Sequence, residues 1–474
     1  MTVIEINHAR TRRLATGAST APVVPQSVKG RIRRIKWAML LITLGIYYIA
    51  PFLRWDRGPN APDQAILLDF AGGKLYAFFI EIWPQDLYLI TGLLVLASAI
   101  LILANAVAGR VWCGFACPQT VWTDLFLLVE RLIEGDRRQR LKNRGAPLTV
   151  RRIGQIGAKH AAWLAISLMT GGVLVFYFTD APTLLHALAR GEASLTAWAW
   201  ITIFAGTTYS LAGFAREQVC TFMCPWPRLQ GAIWDPEAFT VNYRDYRGER
   251  RMSAKKAAEL RGRGEEAGDC VDCGQCVAVC PIGIDIREGP NFACINCGLC
   301  VDACDSVMAK LQRPRGLIDY EAWTNIERGR RNEPRVSRIV RPKTIALAGA
   351  CLGLIAGMAI LFTGRTSATI TVQHDRDPLA IALSDGSVRN AYTVKLLNKS
   401  SVARGYTLGV EGVDADLSIV GRDGRAPISV APDDSEALRV TVTMAHPKDA
   451  DVTFVARDEA GRVVLSVRDK FVNR

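Results

Sequence analysis

Twelve of the thirteen cysteines in this 474-residue chain stand in tight groups, a spacing that suits metal ligation better than disulfides. The densest group, residues 270–304, reads CVDCGQCVAVCPIGIDIREGPNFACINCGLCVDAC. Its first block is Cys270, Cys273, Cys276 and Cys280 followed by Pro281, the C-x2-C-x2-C-x3-C-P run that holds cubane iron–sulfur clusters. Its second block is Cys294, Cys297, Cys300 and Cys304. A tight loop offers three thiolates to one cubane, and the fourth comes from the other block. The order therefore predicts Cys270, Cys273, Cys276 and Cys304 on one 4Fe–4S cluster, and Cys294, Cys297, Cys300 and Cys280 on the second. Asp305 stands where a second proline is usual. Paired structural zinc sites also use C-x2-C, but the complete eight-cysteine order is far more specific to iron and sulfur. Two clusters that share ligands across blocks make a wire, which needs a donor and an acceptor.

Four further cysteines form a matched pair of motifs, RVWCGFACPQT with Cys113 and Cys117, and QVCTFMCPWPR with Cys220 and Cys224. Each C-x-x-x-C-P follows a long apolar run. Proline directly after Cys117 fits the first turn of a helix, because its missing N–H is unneeded there. The segment 118–134, PQTVWTDLFLLVERLIE, reads as that helix, amphipathic and lying at a membrane interface, with Asp124, Glu130 and Glu134 solvated. The second cysteine then sits at a helix N-terminus, where unpaired N–H groups favour thiolate. Four roles are open to the pairs. They are packing, a disulfide relay, which a reducing compartment disfavours, a third iron–sulfur cluster, for which C-x-x-x-C is not the usual spacing, and a soft-metal site. Thiolates prefer Cu(I) over Cu(II), so such a site beside a cluster pair draws Cu(II) towards Cu(I).

The elements that must position these thiols are membrane spans. Half of the residues are hydrophobic and the mean hydropathy is +0.14. Five runs free of charged side chains, Trp37–Leu53, Leu87–Val107, Ala161–Thr179, Ala197–Phe214 and Ile345–Thr363, are long enough to cross a bilayer. Residues 1–36 carry eight basic groups against one acid and the link 108–160 carries ten against four, whereas 54–86 has three against five. The positive-inside rule therefore predicts a cytoplasmic N-terminus, cytoplasmic links at 108–160 and 215–343, and a C-terminal part outside. Both thiol pairs follow even-numbered spans and so fall at the cytoplasmic edge. The halves, each of two spans and then C-x-x-x-C-P, read as a parallel repeat about the membrane normal. The net charge of +13 is spread through loops beside apolar runs rather than gathered on one soluble module, which argues against nucleic acid.

Residues 1–30 are polar and mixed, without the short apolar core of a leader, and read as a mobile tail within a segment 1–36. The predicted domains are 37–214, a four-helix membrane domain with both C-x-x-x-C-P motifs; 215–343, a cytoplasmic two-cluster ferredoxin-like insert; 344–364, a fifth span; and 365–474. In that last segment period-two runs such as Tyr392, Val394, Leu396 and Leu438, Val440, Val442, Met444 predict about seven antiparallel strands in an immunoglobulin-like sandwich. It has no cysteine and no titratable cluster, so partner binding or a solubilising cap is its expected role. The fold class is thus a multi-domain membrane protein with an α-helical membrane domain, a ferredoxin-like insert and a C-terminal all-β sandwich. His160 reads as interfacial packing in preference to a copper ligand, Cys351 as a small buried residue, and the charged linkers 247–268 and 310–343 as solvated loops or a docking patch for an acidic donor.

Five spans, two C-x-x-x-C-P motifs, a two-cluster insert and an exported C-terminal domain together resemble the cytochrome c oxidase accessory protein family called CcoG, FixG or RdxA, a family of membrane-bound polyferredoxins. The resemblance covers nearly all of the chain beyond the tail. It implies a bacterial inner-membrane protein that supports assembly of the cbb-type cytochrome oxidase by reducing Cu(II) to Cu(I) on the cytoplasmic side. It also implies that Cys113, Cys117, Cys220 and Cys224 are the catalytic copper thiols and that copper-handling assembly proteins are partners. The electron donor is left open, cytoplasmic or a quinol. NapH-like quinol dehydrogenases share the C-x-x-x-C-P and cluster pairing but not the first span, fifth span and exported domain. A non-enzymatic copper chaperone or assembly scaffold is the other rival.

Overall fold

The computed structural model describes residues 23–58, 61–400, 402–423, 426–446 and 448–473. The chain forms two compact units, one from the chain up to Leu53 together with Gln64–Met358, the other from Arg54–Asp63 and Ala359–Arg474.

In the first unit α1 (Arg31–Ile49) is followed by a three-stranded antiparallel meander, β1 (Ile66–Asp69), β2 (Lys74–Ala77) and β3 (Ile80–Ile82). Helix α2 (Leu87–Ala108) runs into the short α3 (Val111–Phe115) and then α4 (Pro118–Glu134). Next come α5 (Val150–Val175), α6 (Leu195–Gly213) and α7 (Trp226–Ala232). The cysteine-rich segment carries α8 (Leu299–Lys310) and is closed by a two-stranded pairing of β4 (Thr240–Tyr243) with β5 (Ile318–Glu321). Helix α9 (Pro342–Thr363) ends the helical part.

Among the described residues four helices are long and apolar enough to cross a membrane: Arg31–Phe52, Pro84–Ala108, Val150–Val175 and Pro342–Thr363. The remaining expected run, Ala197–Phe214, is α6, which is helical but is not one of these four. The hydroxyls of Thr202, Thr207 and Thr208 each donate to a backbone carbonyl of the same helix, at 2.8 to 2.9 Å. Helix α6 meets α5 backbone to backbone at Gly171. A Cβ on Gly171 would stand 2.6 Å from the Ala205 nitrogen and 2.9 Å from the Ile201 oxygen. Small residues at such a contact let two backbones approach, the usual way helices associate where burial from water contributes nothing.

The expectation of a free tail over 1–36 needs correction from Val23 onward; residues 1–22 lie outside the described residues. Gln26 N–H donates to Ala278 O at 2.8 Å, and Ser27 N–H to Asp136 at 3.0 Å. Helix α1 begins at Arg31, and its start is capped from far away, since Asp302 accepts from Ile32 N–H at 3.2 Å and Arg33 N–H at 2.7 Å. Gly30 is needed there, because a Cβ would lie 2.1 Å from the Asp302 carboxylate carbon.

The reading of Asp124, Glu130 and Glu134 as solvated is also corrected. Helix α4 buries residues on several sides, and Phe126 stacks on Trp163 of α5 with centroids 5.2 Å apart. Its carboxylates therefore have to be paired. Asp124 meets Arg33 at 3.0 Å and Lys36 at 2.9 Å, both cations buried. Glu130 meets Arg140 at 2.6 Å and Arg216 at 2.5 Å, and Glu134 meets Lys159 at 2.7 Å. Basic residues of the two linkers are likewise engaged internally: Arg261 with Asp269 at 2.9 Å, Arg335 with Glu321 at 3.3 Å, and Arg341 and Lys343 with Asp235 at 2.7 and 3.0 Å. His160 packs as expected, its Nδ1 2.8 Å from the Tyr209 hydroxyl, and Cys351 is buried.

The second unit is a two-sheet sandwich of nine strands among the described residues, two more than expected. They are β6 (Ala368–His374), β7 (Ile381–Ala382), β8 (Val388–Asn398), β9 (Arg404–Glu411), β10 (Asp416–Ile419), β11 (Ile428–Val430), β12 (Asp434–Met444), β13 (Ala450–Arg457) and β14 (Val463–Phe471). One sheet runs β10-β12-β8-β6 with β7 beside β8, the other β11-β9-β13-β14. Its longest pairing sets Leu438 against Val394 and Val440 against Tyr392, so the alternating residues named from sequence line one core.

Burial alone would raise the Asp124 carboxyl, but Lys36 and Arg33 outweigh it and hold it below its ordinary value. Its stabilisation is present above the unfolded carboxylate value of about 4 and is lost as pH falls through the lower folded value. Asp124→Asn leaves two buried cations unpaired and is expected to cost about 3 kcal/mol. Glu436→Gln, in the exposed pair with Arg422, is expected to change stability by less than about 0.5 kcal/mol. Thermal unfolding in detergent, followed separately for the helical and β signals, checks both.

Candidate iron–sulfur and thiol centre

Each cysteine block folds into the same turn. Asp272 and Asn296, one residue before Cys273 and Cys297, have φ of 50° and 59°, and Gly274 and Gly298, one residue after, have 64° and 68°. Two left-handed residues flanking a cysteine curl the loop, and the glycine makes the second one inexpensive. The loops wall two small cavities. One is bounded by Cys270, Cys273, Cys276 and Cys304, with Tyr243, Met308 and Ile318. The other is bounded by Cys280, Cys294, Cys297 and Cys300, with Ile284 and Ile286, and Cys276 touches both. Cys304 thus lines the first cavity and Cys280 the second, each beside three cysteines of the other block, and the thiol-walled apolar cavities fit two cubane clusters. Burial pushes the free thiols of Cys276, Cys280 and Cys304 up to about 12 and Cys294 to about 11. Metal loading must therefore expel protons from them. Asp305, in place of proline, lets α8 continue to Lys310 and accepts from Gly316 N–H at 2.8 Å.

The second block is fastened to the end of α2. Asn296 accepts from Val241 N–H at 2.7 Å and donates to Ala108 O at 2.9 Å. Arg110, two residues further on, is buried and donates to Phe292 O, and to Pro227 O at 2.7 Å. It thereby ties the first thiol motif to both the cluster loop and the second motif. Between Cys113 and Cys117 the backbone presses on the cluster loop itself. A Cβ on Gly114 would lie 2.8 Å from Ile295 O and 3.0 Å from Cys297 Cα.

The two C-x-x-x-C-P motifs close in the same way, although the first lies in the α-helical α3 and the second in a π-helical turn, Val219–Met223. Cys117 N–H donates to Trp112 O at 2.9 Å, and Cys224 N–H to Val219 O at 2.8 Å, five residues back in each. Such wide turns are uncommon and cluster at functional sites. Cys117 (φ −60°, ψ 129°) and Cys224 (φ −76°, ψ 125°) are both extended, with Pro118 and Pro225 leading into α4 and α7. Cys113 and Cys220 pack on the same apolar group as Cys297, with Val279, Ile295 and Leu299. Burial raises Cys113 to about 12 and Cys220 to about 11; Cys117 adds to both and Arg110 opposes both. The four thiols thus lie within each other's electrostatic reach, beside the second cluster loop.

Three family models match the chain: a 4Fe-4S binding domain over residues 89–134, a 4Fe-4S dicluster domain over 215–323, and an IG-like fold at the C-terminal of FixG over 358–474. Nitrogen fixation protein FixG of Rhizobium meliloti is 45% identical over 90% of this chain and 87% of its own length. Protein RdxB of Cereibacter sphaeroides is 49% identical over 85% of this chain and 84% of its own, and RdxA of the same organism 46% over 91% of each. The chain belongs to the FixG/RdxA family. As a FixG-family chain it is an iron–sulfur electron-transfer protein of the membrane, with 4Fe–4S domains and an immunoglobulin-like C-terminal domain.

In this FixG-family chain, spacing pointed to the thiols but not to Arg110, Gly114, Asn296 or Asp302, which assemble them. An arginine directly after an apolar run and a glycine inside a cysteine motif were the available signals; their partners lie more than a hundred residues away. Gly114→Ala is expected to drive the first thiol motif off the second cluster loop and to cost the iron held there. Gly145→Ala, with open space around its Cβ, is expected to leave iron content unchanged. Metal analysis with low-temperature paramagnetic resonance checks both.

Proposed function

We propose that this protein reduces Cu(II) to Cu(I) at the four C-x-x-x-C-P thiols. The observation that carries this is the shared turn of the two motifs, which sets Cys113 and Cys220 on the same apolar group as Cys297. Two 4Fe–4S clusters, held by Cys270, Cys273, Cys276 and Cys304 and by Cys294, Cys297, Cys300 and Cys280, supply single electrons when bound. Copper is the substrate: Cu(II) gains one electron and leaves as Cu(I). Cys113, Cys117, Cys220 and Cys224 receive the ion, and soft sulfur donors stabilise the monovalent state over the divalent one. Their thiol protons go to water as the ion enters. Arg110 fixes the distance between thiols and cluster loop, and its charge opposes the burial that keeps Cys113 and Cys220 protonated.

Five spans complete the reading, with α6 as the fourth, its hydroxyls satisfied within the helix. The positive-inside bias then sets the thiols and clusters on the cytoplasmic side of a bacterial inner membrane and the sandwich in the periplasm. The resemblance to oxidase accessory proteins supports delivery of Cu(I) towards a cbb-type oxidase.

A second reading draws on the 4Fe-4S binding domain matched over residues 89–134, which spans Cys113 and Cys117. Here the four thiols hold a third cluster. One variant separates the two, with all four C-x-x-x-C cysteines changed to serine. On copper reduction, the dithionite-reduced variant keeps its full iron content but no longer yields Cu(I) to a chelator such as bathocuproine. Loss of iron from the variant would place those thiols on a cluster instead.

A further inference from the structure

A third cavity beside the second cluster loop is separate from the two that the cysteine blocks enclose. It measures about 530 Å³, a typical size for a small-molecule site. Its walls include Trp234, Phe292 and Trp323, with Cys294 on one side and Asn105 and Gln230 on another. Asn105 is the unusual member. It is an amide in the last turns of the apolar helix α2, 5% exposed, and its side chain makes no hydrogen bond among the described residues. Gln230 is 4% exposed; its Oε1 faces the Cys113 sulfur at 4.0 Å, and its NH2 group makes no hydrogen bond among the described residues. Both amides open on the cavity, where a ligand oxygen can accept from them.

We propose that this cavity binds the headgroup of a quinone or quinol. Three aromatic walls suit a flat ring, and two buried N–H donors suit its two oxygens. One wall is the end of a helix apolar enough to cross a membrane, which favours a ligand that partitions into the bilayer. A flavin or nicotinamide nucleotide fits less well, because it brings phosphates. The one cationic side chain among the lining residues is Arg110, already engaged by the carbonyls of Phe292 and Pro227. The site lies against Cys294, and its relevance as the electron donor's seat rests on the reading that Cys294 holds a cluster.

The test is photolabelling of the full-length, iron-loaded protein in detergent with an azidoquinone, followed by peptide mapping. Label is expected on the segments containing Trp234 and Phe292, and excess decylubiquinone is expected to suppress it. Asn105→Leu removes one hydrogen bond to the ring and is expected to raise the half-suppressing concentration about tenfold, with iron content unchanged. Label elsewhere, label that excess quinone does not suppress, or an Asn105→Leu protein that binds as tightly as the parent overturns the proposal. Should Asn105→Leu lose its iron, the labelled positions in the parent protein decide alone. Copper reduction by dithionite-reduced protein involves no quinone, so its failure would be seen separately.

Discussion

A single guanidinium holds the electron-transfer region together. Arg110 leaves the end of a membrane helix, enters the protein and donates to one carbonyl beside the second cysteine block and another beside the second thiol motif. A buried arginine needs its donors met, and carbonyls meet them without adding a second charge. Burial does lower its affinity for the proton, but an arginine starts so high that it stays charged. The fork is rigid, so the carbonyls are held at fixed separation. Gly114 then lets the two backbones touch where a Cβ would clash, and Asn296 stitches the loop to the helix end.

Much of the architecture was legible in the sequence because it rests on spacing. Eight cysteines in a known order fix which thiol crosses to which cavity, and alternation from Tyr392 to Leu396 fixes which side chains face the sandwich core. What was not legible depends on contacts between distant segments. Nothing near Asp302 in the chain shows that it meets Ile32 and Arg33, and nothing near Arg110 shows Phe292 and Pro227. The small meander at 66–82 shows no period-two alternation, and only Gly72 and Gly73 mark its first turn in the sequence. Short strands pinned by neighbours, as Leu68 N–H is by Tyr177 O at 2.8 Å, carry weak patterns of their own.

Helix α4 shows how charge can mislead. Three carboxylates on an amphipathic segment look like a wetted face, yet each is matched by cations from other elements, among them Arg33 and Lys36 of α1 and Lys159 of α5. Basic residues flanking a span are commonly assigned to lipid headgroups. Here several are internal counter-ions, and they give the helical part polar fastenings where helix contacts such as that at Gly171 offer only shape.

The cap on the first helix has a bearing on how the protein is made. Its two amide groups are met by a carboxylate 270 and 269 residues downstream. During synthesis that helix is produced long before the residue that finishes it. Asp302 sits between Cys300 and Cys304, which face different cavities. The earliest of the long apolar helices is therefore finished only once the cysteine-rich segment has been made and has folded against it.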